Sequence, residues 1–151
     1  GKSPTCIVCS HQNLPQLDAD GKMALRGGYI VSDCKKPDLI LMASGSEVHL
    51  VLEAKKLLEA EGVNVRVISM PCMEVFDKQS HVYKESVLPA SCTKRIAVEA
   101  GVSMPWMKYV GLEGDTVCMD SFGVSGKPED LFRHFGFTVE NIVQKAHDML
   151  K

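Results

Sequence analysis

The sequence predicts an α/β fold, a three-layer α/β/α sandwich around a mostly parallel, mixed five-stranded sheet. Extended apolar segments alternate with helical ones about every 25 to 30 residues, which is typical of strands joined by crossover helices. Residues 39–43 are apolar at every position, as expected of a strand covered on both faces. Glycine or proline follows several of these segments and separates them. We expect all 151 residues to form a single domain.

The extended segments are identified by β-branched or continuous apolar residues bounded by turn-forming residues. In chain order they are residues 5–9, 28–31, 39–43, 63–68, 95–100 and 115–119. Residues 63–68 alternate and are rich in valine, and Pro71 follows them.

The helices are identified by apolar residues at a spacing of three and four. Residues 46–61 carry such a stripe, and Gly62 ends that helix. Asp77 is expected to cap a helix that runs to about Leu88, and residues 106–110 form a short helical piece. Pro128 opens a further helix at a first-turn position. Thr138 caps the last one, with Phe137 and Ile142 placed as a hydrophobic staple.

Composition excludes several classes of protein. The formal net charge is −2 and 24% of residues are charged, which is neither the basic balance of a nucleic-acid-binding protein nor the charge excess of a disordered chain. No apolar run reaches the roughly 20 residues that cross a bilayer, so we expect no membrane partner. The six cysteines are scattered and indicate reduced thiols in the cytoplasm. Cys6 and Cys9 have C-x-x-C spacing, but no second pair follows, so buried thiols are favoured over a zinc or redox site.

The turn at Ser44-Gly45-Ser46-Glu47 joins a buried strand to a helix, a place where α/β proteins often bind phosphate. Ser44 and Glu47 have capping-box spacing, which would occupy the free N–H groups, and Glu47 would repel an anion. We therefore expect this turn to cap the helix. Glu99 and Asp120 follow apolar strands, where they could bind a ligand or cap the next element, and spacing does not separate these two roles.

Motifs that carry chemistry by themselves are missing from the sequence. It has no G-x-G-x-x-G, no Walker lysine motif, no nucleophile elbow and no H-E-x-x-H. The five histidines are dispersed, and the aromatic ring of Trp106 is more consistent with packing than with an interface anchor. Residue patterns alone therefore indicate an α/β domain without a self-sufficient active site.

A series of short strings nevertheless occurs in a recognisable order and spacing. They are SHQNLP (10–15), GGY (27–29), SGSEV (44–48), RVISMP (66–71), FDKQ (76–79), YKESVLP (83–89), VEAG (98–101), KYVG (108–111), FG (122–123) and FGFTVENI (135–142). Together they resemble the C-terminal domain of the transketolase family over nearly the whole chain.

This resemblance implies a piece of a larger enzyme. Transketolases are homodimers that use thiamine diphosphate and a divalent metal, Mg or Ca, to transfer a two-carbon ketol unit between sugar phosphates in the pentose phosphate pathway. In that family the preceding domains hold the cofactor, the metal and the catalytic glutamate. The resemblance thus implies that this chain has no catalytic, cofactor-binding or metal-binding residue, is inactive alone, and packs against those domains and a second subunit at the rim of the substrate channel.

One position of the family's substrate site falls within this chain. The family usually reads Ser-Arg-Gln-Asn-Leu-Pro, and the arginine binds the sugar phosphate, whereas this chain has His11 at that place. Arginine offers a permanently charged, bidentate fork, and histidine offers one donor with only partial charge near neutrality. The resemblance therefore implies weakened phosphate binding through His11, unless contacts in the other domains make this position dispensable.

Two other interpretations remain open at the sequence level. The chain could be a free-standing regulatory module that binds a small anion or nucleotide at the carboxyl ends of its strands. It could also be the equivalent domain of another thiamine diphosphate enzyme, such as deoxyxylulose-phosphate synthase or the pyruvate dehydrogenase β chain. The Phe-Asp-Lys-Gln and Phe-Gly-Phe-Thr strings favour transketolase over these relatives.

Overall fold

The computed structural model describes Pro4, Cys6 and residues 13–17 and 19–151. Its strands are β1 (Tyr29–Ser32), β2 (Leu39–Ala43), β3 (Val65–Ser69), β4 (Arg95–Val98) and β5 (Asp115–Val117). The strand expected at residues 5–9 lies outside the described residues, apart from Cys6, which is not in a strand. The other expected strands are present with shifts of one or two residues at their ends.

The five strands form one sheet in the order β1-β3-β2-β4-β5. Strand β2 pairs in parallel with β3 and β4, β5 pairs in parallel with β4, and β1 runs antiparallel to β3 at the edge. The predicted α/β class with a mostly parallel, mixed five-stranded sheet is therefore confirmed. Because β2 to β5 are parallel, their carboxyl ends lie along one edge of the sheet, called here the carboxyl edge, and their amino ends along the opposite amino edge.

Six α-helices accompany the sheet in the described part of the chain. They are α1 (Glu47–Ala60), α2 (Met73–Asp77), α3 (His81–Val87), α4 (Met107–Val110), α5 (Pro128–His134) and α6 (Val139–Leu150), with 3₁₀ turns at Gly21–Arg26 and Met104–Trp106. None of the helices in residues 13–17 and 19–151 is both long enough and apolar enough to cross a bilayer.

The helix expected to run from an Asp77 cap to about Leu88 is present as α3, but it begins at His81 and Asp77 does not cap it. Ser80 is the cap, because its Oγ accepts a hydrogen bond from the Tyr83 amide at 3.2 Å, and Asp77 is the last residue of the preceding helix α2. The Asp77 carboxylate does not cap a helix. It accepts a hydrogen bond from the Tyr109 hydroxyl at 2.8 Å and pairs with Lys108, so it ties α2 to α4.

The start of α6 agrees with the sequence analysis. The Thr138 hydroxyl accepts a hydrogen bond from the Asn141 amide at 3.2 Å, as a cap should. Phe137 and Ile142 are both buried in the same apolar cluster, which confirms the expected staple.

The core has two layers because β2 is covered on both faces. All five β2 residues are completely buried. Leu39 and Leu41 face a cluster that includes α1 and α6, whereas Ile40 and Met42 face a second cluster beneath α2, α3 and α4. This two-residue alternation is the geometry of a strand, and it explains why the segment is apolar throughout.

Two arginines near the amino edge bind backbone carbonyl groups. Arg66 is buried within β3, where its Nε donates to Asp33 Oδ1 at 2.7 Å and its Nη1 to the carbonyls of Ser86 and Val87. Arg95 makes three such bonds, each at 2.8 Å, and its accepting carbonyls belong to Cys92, Tyr109 and Pro89. These guanidinium groups bond carbonyls at the carboxyl ends of α3 and α4 and in the segment between α3 and β4, where the helices leave carbonyls without intrahelical partners.

We predict that Arg66→Lys destabilises the fold. Lysine has one charged nitrogen and cannot reach the Asp33 carboxylate and the carbonyls of both Ser86 and Val87 in the same geometry, so at least one acceptor loses its partner. The expected loss is about 2 kcal/mol in the free energy of unfolding, measured by urea denaturation. The matched control is Arg133→Lys at an exposed position, and equal stability of the two variants would contradict the assignment.

Candidate functional site

The candidate site is a crevice at the carboxyl edge, between the ends of β2, β3 and β4. Ligands of α/β sheets bind in this region, because the loops after the strands diverge there. The crevice has a volume of about 360 Å³. Its polar lining is provided by Ser44 after β2, Cys72 and Glu74 after β3, and Glu99 after β4, and Trp106 contributes an apolar wall.

The capping box expected between Ser44 and Glu47 is wrong. Helix α1 begins at Glu47, and Ser46, the residue before it, makes no side-chain cap to the backbone. The Ser44 carbonyl accepts a hydrogen bond from the Glu47 amide at 3.2 Å, and Gly45, with φ of 55°, makes the turn that permits it. Glu47 is therefore the first residue of the helix rather than the third, so its side chain cannot reach back to Ser44.

Beside the crevice, the buried carboxylate of Glu47 lies close to the half-buried carboxylate of Glu99, which lines the crevice. Glu47 is only 3% exposed, and its Oε1 accepts a hydrogen bond from the Ser46 hydroxyl at 2.8 Å. Burial raises the pKa of Glu99, and the negative charge of Glu47 raises it further. The neighbouring Ser44 hydroxyl lowers the pKa of Glu99 by a smaller amount. Glu99 is thus held in an environment that disfavours its charge.

A thiol also lines the crevice. The Cys72 Sγ lies 3.5 Å from Glu74 Oε2, as a weak hydrogen bond.

The five described cysteines are all free, but the expectation of buried thiols holds only in part, because Cys92 is buried whereas Cys6 is exposed. Burial raises the pKa of Cys118 to about 11, so this thiol is a poor nucleophile near neutral pH. Cys9, the other half of the C-x-x-C pair, lies outside the described residues.

The side chains that line the crevice do not fit the diphosphate of a cofactor or the metal ion that would accompany it. Among the described residues that line it, the ionisable groups are carboxylates and a thiol and none is a lysine or arginine, so a diphosphate would meet like charge. Within residues 13–17 and 19–151, no group of three histidine, cysteine or acidic side chains is placed to hold a metal ion. The same acidic lining is unfavourable for the anion or nucleotide that a free-standing regulatory module would take.

Asp120 and Trp106 both have structural roles. The Asp120 carboxylate accepts a hydrogen bond from the Ser103 amide at 2.8 Å, which lowers the pKa of Asp120 and joins the loops after β4 and β5. This is a loop contact, which neither the ligand nor the helix-cap interpretation anticipated. Trp106 is 2% exposed and packs edge to face on Tyr109 with ring centres 6.4 Å apart, which confirms the packing interpretation.

The histidines are not gathered into a site by the described part of the fold. His147 Nε2 contacts Glu61 Oε2 at 2.5 Å and links α6 to the end of α1, and His134 packs against Phe135. His11, the expected substrate-binding residue, lies outside the described residues. Its role therefore stays a prediction.

A second polar cluster, which sequence reasoning missed, joins Asp77, Lys108 and Tyr109. Lys108 pairs with Asp77 and lies over the Tyr109 ring, 4.8 Å from its centre. The Lys108 hydrogen bond lowers the pKa of Asp77, and burial raises the pKa of Tyr109 to about 12. Lys108 and Tyr109 are adjacent, but each lies more than 30 positions from Asp77, so no local spacing could have indicated the cluster.

The comparisons with known proteins agree on one family. A family model described as "Transketolase-like TK C-terminal domain" matches residues 27–138. Transketolase 1 of Pasteurella multocida is 51% identical over 156 residues, which cover 99% of this chain but 23% of that protein. Transketolase 1 of Escherichia coli is 50% identical, with 97% of this chain and 23% of that protein covered. The chain thus spans about a quarter of the length of these relatives.

Solved structures agree in fold as well as in sequence. Transketolase from Leishmania mexicana has 40% identity and a TM-score of 0.83, with 90% of this chain and 20% of that chain covered. Transketolase from Pichia stipitis in complex with sedoheptulose 7-phosphate has 38% identity and a TM-score of 0.85, with 92% and 20% covered. The chain therefore belongs to the transketolase family and corresponds to its C-terminal domain.

Proposed function

We propose that this chain is the non-catalytic C-terminal domain of a transketolase. The whole enzyme would be a cytoplasmic homodimer that transfers a two-carbon ketol unit between sugar phosphates in the pentose phosphate pathway. Thiamine diphosphate and Mg or Ca would be held by the preceding domains, and residues 1–151 would form one domain that packs on them and on the second subunit. The observation that carries the proposal is a match over almost the whole chain to about a quarter of each relative.

The side-chain contacts of the described residues favour a structural role for this domain in the enzyme. The side chains of Arg66 and Arg95 bond the carbonyls of Ser86 in α3 and Tyr109 in α4, and Lys55 donates to the Val65 carbonyl at 2.6 Å. These cations stabilise the fold and are not directed at a ligand. The carboxylates of the crevice are unsuited to sugar phosphates, and the free thiols suit a reducing cytoplasm.

The function is tested with a chimaera in which this chain replaces the segment that it matches in Transketolase 1 of Escherichia coli. We expect the chimaera, supplied with thiamine diphosphate and Mg²⁺, to transfer ketol units between sugar phosphates. The 151-residue chain alone and the truncated relative alone are the controls, and neither should restore the rate. Ketol transfer by the chain alone, or an inactive chimaera together with tight anion or nucleotide binding by the chain, would contradict the proposal.

We predict that His11→Arg in the chimaera lowers the apparent KM for sugar phosphates. Arginine restores a charged, bidentate phosphate contact worth about 1 to 2 kcal/mol, which corresponds to roughly a tenfold change in KM. Steady-state kinetics with a phosphorylated ketose donor measure it. His81→Arg, which adds the same charge at an exposed position of α3, is the control. A KM for His11→Arg equal to that of the control would show that the position does not contact phosphate.

We also predict that Glu99→Gln stabilises the chain and leaves ketol transfer by the chimaera unchanged. The folded-state pKa of Glu99 is raised, so its charged form opposes folding, and stability falls as pH rises through that pKa. The gain in melting temperature should therefore be largest near pH 8 and vanish below the ordinary glutamate pKa of about 4.3.

Glu53→Gln is the matched control for this prediction, because it removes the same charge from an exposed position, whereas Glu99 is half-buried. Thermal unfolding is followed by circular dichroism from pH 4 to 8. A gain for Glu99→Gln that does not depend on pH, or a loss of ketol transfer, would refute the structural interpretation of this carboxylate.

A further inference from the structure

A pocket of about 240 Å³, called here the helical pocket, lies between α2, α3, α4 and the start of β4. Its charged lining consists of Asp77, Lys84, Glu85, Arg95 and Lys108. Three of these side chains are cations and two are carboxylates, so the lining has a formal charge of +1 even with His81 neutral. Because the chain as a whole has a net charge of −2, the helical pocket is a local concentration of positive charge.

The carboxylate of Asp77 is already occupied by protein groups. Its Oδ1 accepts a hydrogen bond from the Tyr109 hydroxyl at 2.8 Å, and its Oδ2 pairs with the Lys108 ammonium. The charges of Asp77 and Lys108 therefore largely cancel. The remaining charge of the pocket comes from Lys84 and Arg95, and Glu85 opposes it.

Lys84 and Arg95 form no ion pair with a carboxylate in the part of the chain that the structure describes. The Lys84 ammonium donates to the Asp77 carbonyl at 3.2 Å, and the three hydrogen bonds of Arg95 also end on neutral carbonyls. Burial lowers the pKa of Arg95, and the nearby Cys92 and Glu85 offset this only in part. Partly buried cations whose partners are neutral are stabilised by an anion placed beside them.

The Glu85 carboxylate is engaged at the end of α3. Its Oε1 accepts a hydrogen bond from the Ala90 amide at 2.8 Å, which ties α3 to the turn that follows it. Glu85 therefore reduces the positive charge of the helical pocket without pairing with Lys84 or Arg95.

We propose that the helical pocket binds a small phosphate-like dianion, either inorganic phosphate or the phosphate group of a small ester. Each lysine ammonium has three donors, so Lys84 and Lys108 would donate to the anion from N–H groups that their contacts within the fold do not use. Arg95, whose bonds go to the backbone, would add a fixed positive charge beside them rather than a direct contact.

The size of the helical pocket selects a small ligand. Its volume of about 240 Å³ lies below the roughly 300 to 1,000 Å³ of pockets for drug-sized molecules, so it suits a phosphate group rather than a whole nucleotide. No described residue lines both this pocket and the acidic crevice. The inference does not rest on the proposed function, which the activity of the chimaera tests.

The binding test titrates the ¹⁵N-labelled 151-residue chain with sodium phosphate at constant ionic strength. We expect amide resonances of α3 and α4 to shift and to saturate with a Kd on the order of 1 mM. Sodium chloride at the same ionic strength is the control for screening and should give no saturable shift. If phosphate gives none either, the proposal is wrong.

Glycerol 3-phosphate then distinguishes the two sources of the phosphate group. Tighter binding of this ester than of phosphate would identify a phosphate monoester as the ligand. Equal or weaker binding of the ester would identify inorganic phosphate.

Charge variants locate the site within the chain. Lys84→Gln should weaken phosphate binding about fivefold, because it removes a cation that has no carboxylate partner, and Glu85→Gln should tighten it about threefold. Lys56→Gln and Glu53→Gln make the same changes of charge at exposed positions of α1 and are the matched controls. Either pocket variant with the same Kd as its control would overturn the proposal.

Melting temperatures in phosphate-free buffer show whether each variant folds. Glutamine at position 85 keeps an oxygen for the Ala90 amide, so Glu85→Gln tests the site even if Lys84→Gln is destabilised.

A last variant separates the helical pocket from the expected substrate position at His11. His11→Gln should leave phosphate binding unchanged. If His11→Gln abolishes phosphate binding and Lys84→Gln does not weaken it, phosphate binds at the substrate position and the proposal is wrong. Because none of these titrations uses the chimaera, failure of the phosphate site leaves the proposed function standing, and an inactive chimaera leaves the phosphate site standing.

Discussion

The complete burial of β2 is the constraint from which the rest of the structure follows. A strand without any solvent contact requires helices on both faces of the sheet, and the two apolar clusters on either side of Leu41 and Met42 meet that requirement. Once both faces are covered, the loops at the two edges are the places where the central strands approach solvent. The arginine–carbonyl contacts and the acidic crevice are accordingly found at those edges, and the two edges differ in the side chains that they carry.

The amino edge is used for stability. Arg66 and Arg95 bond the carbonyls of the last residues of α3, of Tyr109 in α4 and of Cys92 before β4, so these cations, which could bind an anion, are saturated by the backbone. The carboxyl edge combines the acidic crevice with loops that expose large apolar side chains. Glu99 follows β4 and lines the crevice, where burial and the charge of Glu47 disfavour its ionised form. The exposed ring of Phe122 follows β5 at the same edge.

The sequence analysis succeeded where the determining interactions are local. The continuous apolar run of β2, the periodicity of α1 and the Thr138 cap all act within a few residues, and each predicted element is present. It was wrong at Asp77, because that carboxylate binds Lys108 and Tyr109, which only the fold brings near. The capping box was wrong for a related reason, since Glu47 is the first residue of the helix and its side chain is buried.

The division between the edges explains how a domain can matter to an enzyme without performing its chemistry. A group contributes to catalysis directly only if it can be presented to the substrate, and three cations of this fold, Lys55, Arg66 and Arg95, are engaged with its own backbone. At the carboxyl edge the described surface exposes apolar side chains, among them Phe122 and Met104. Contact area of this kind can hold other domains in register, and such positioning alters reaction rates through the geometry of groups located elsewhere. The energetic influence of this domain on ketol transfer would then pass through its contacts with the rest of the enzyme, and the loss of a carboxylate in the crevice should leave the rate unchanged.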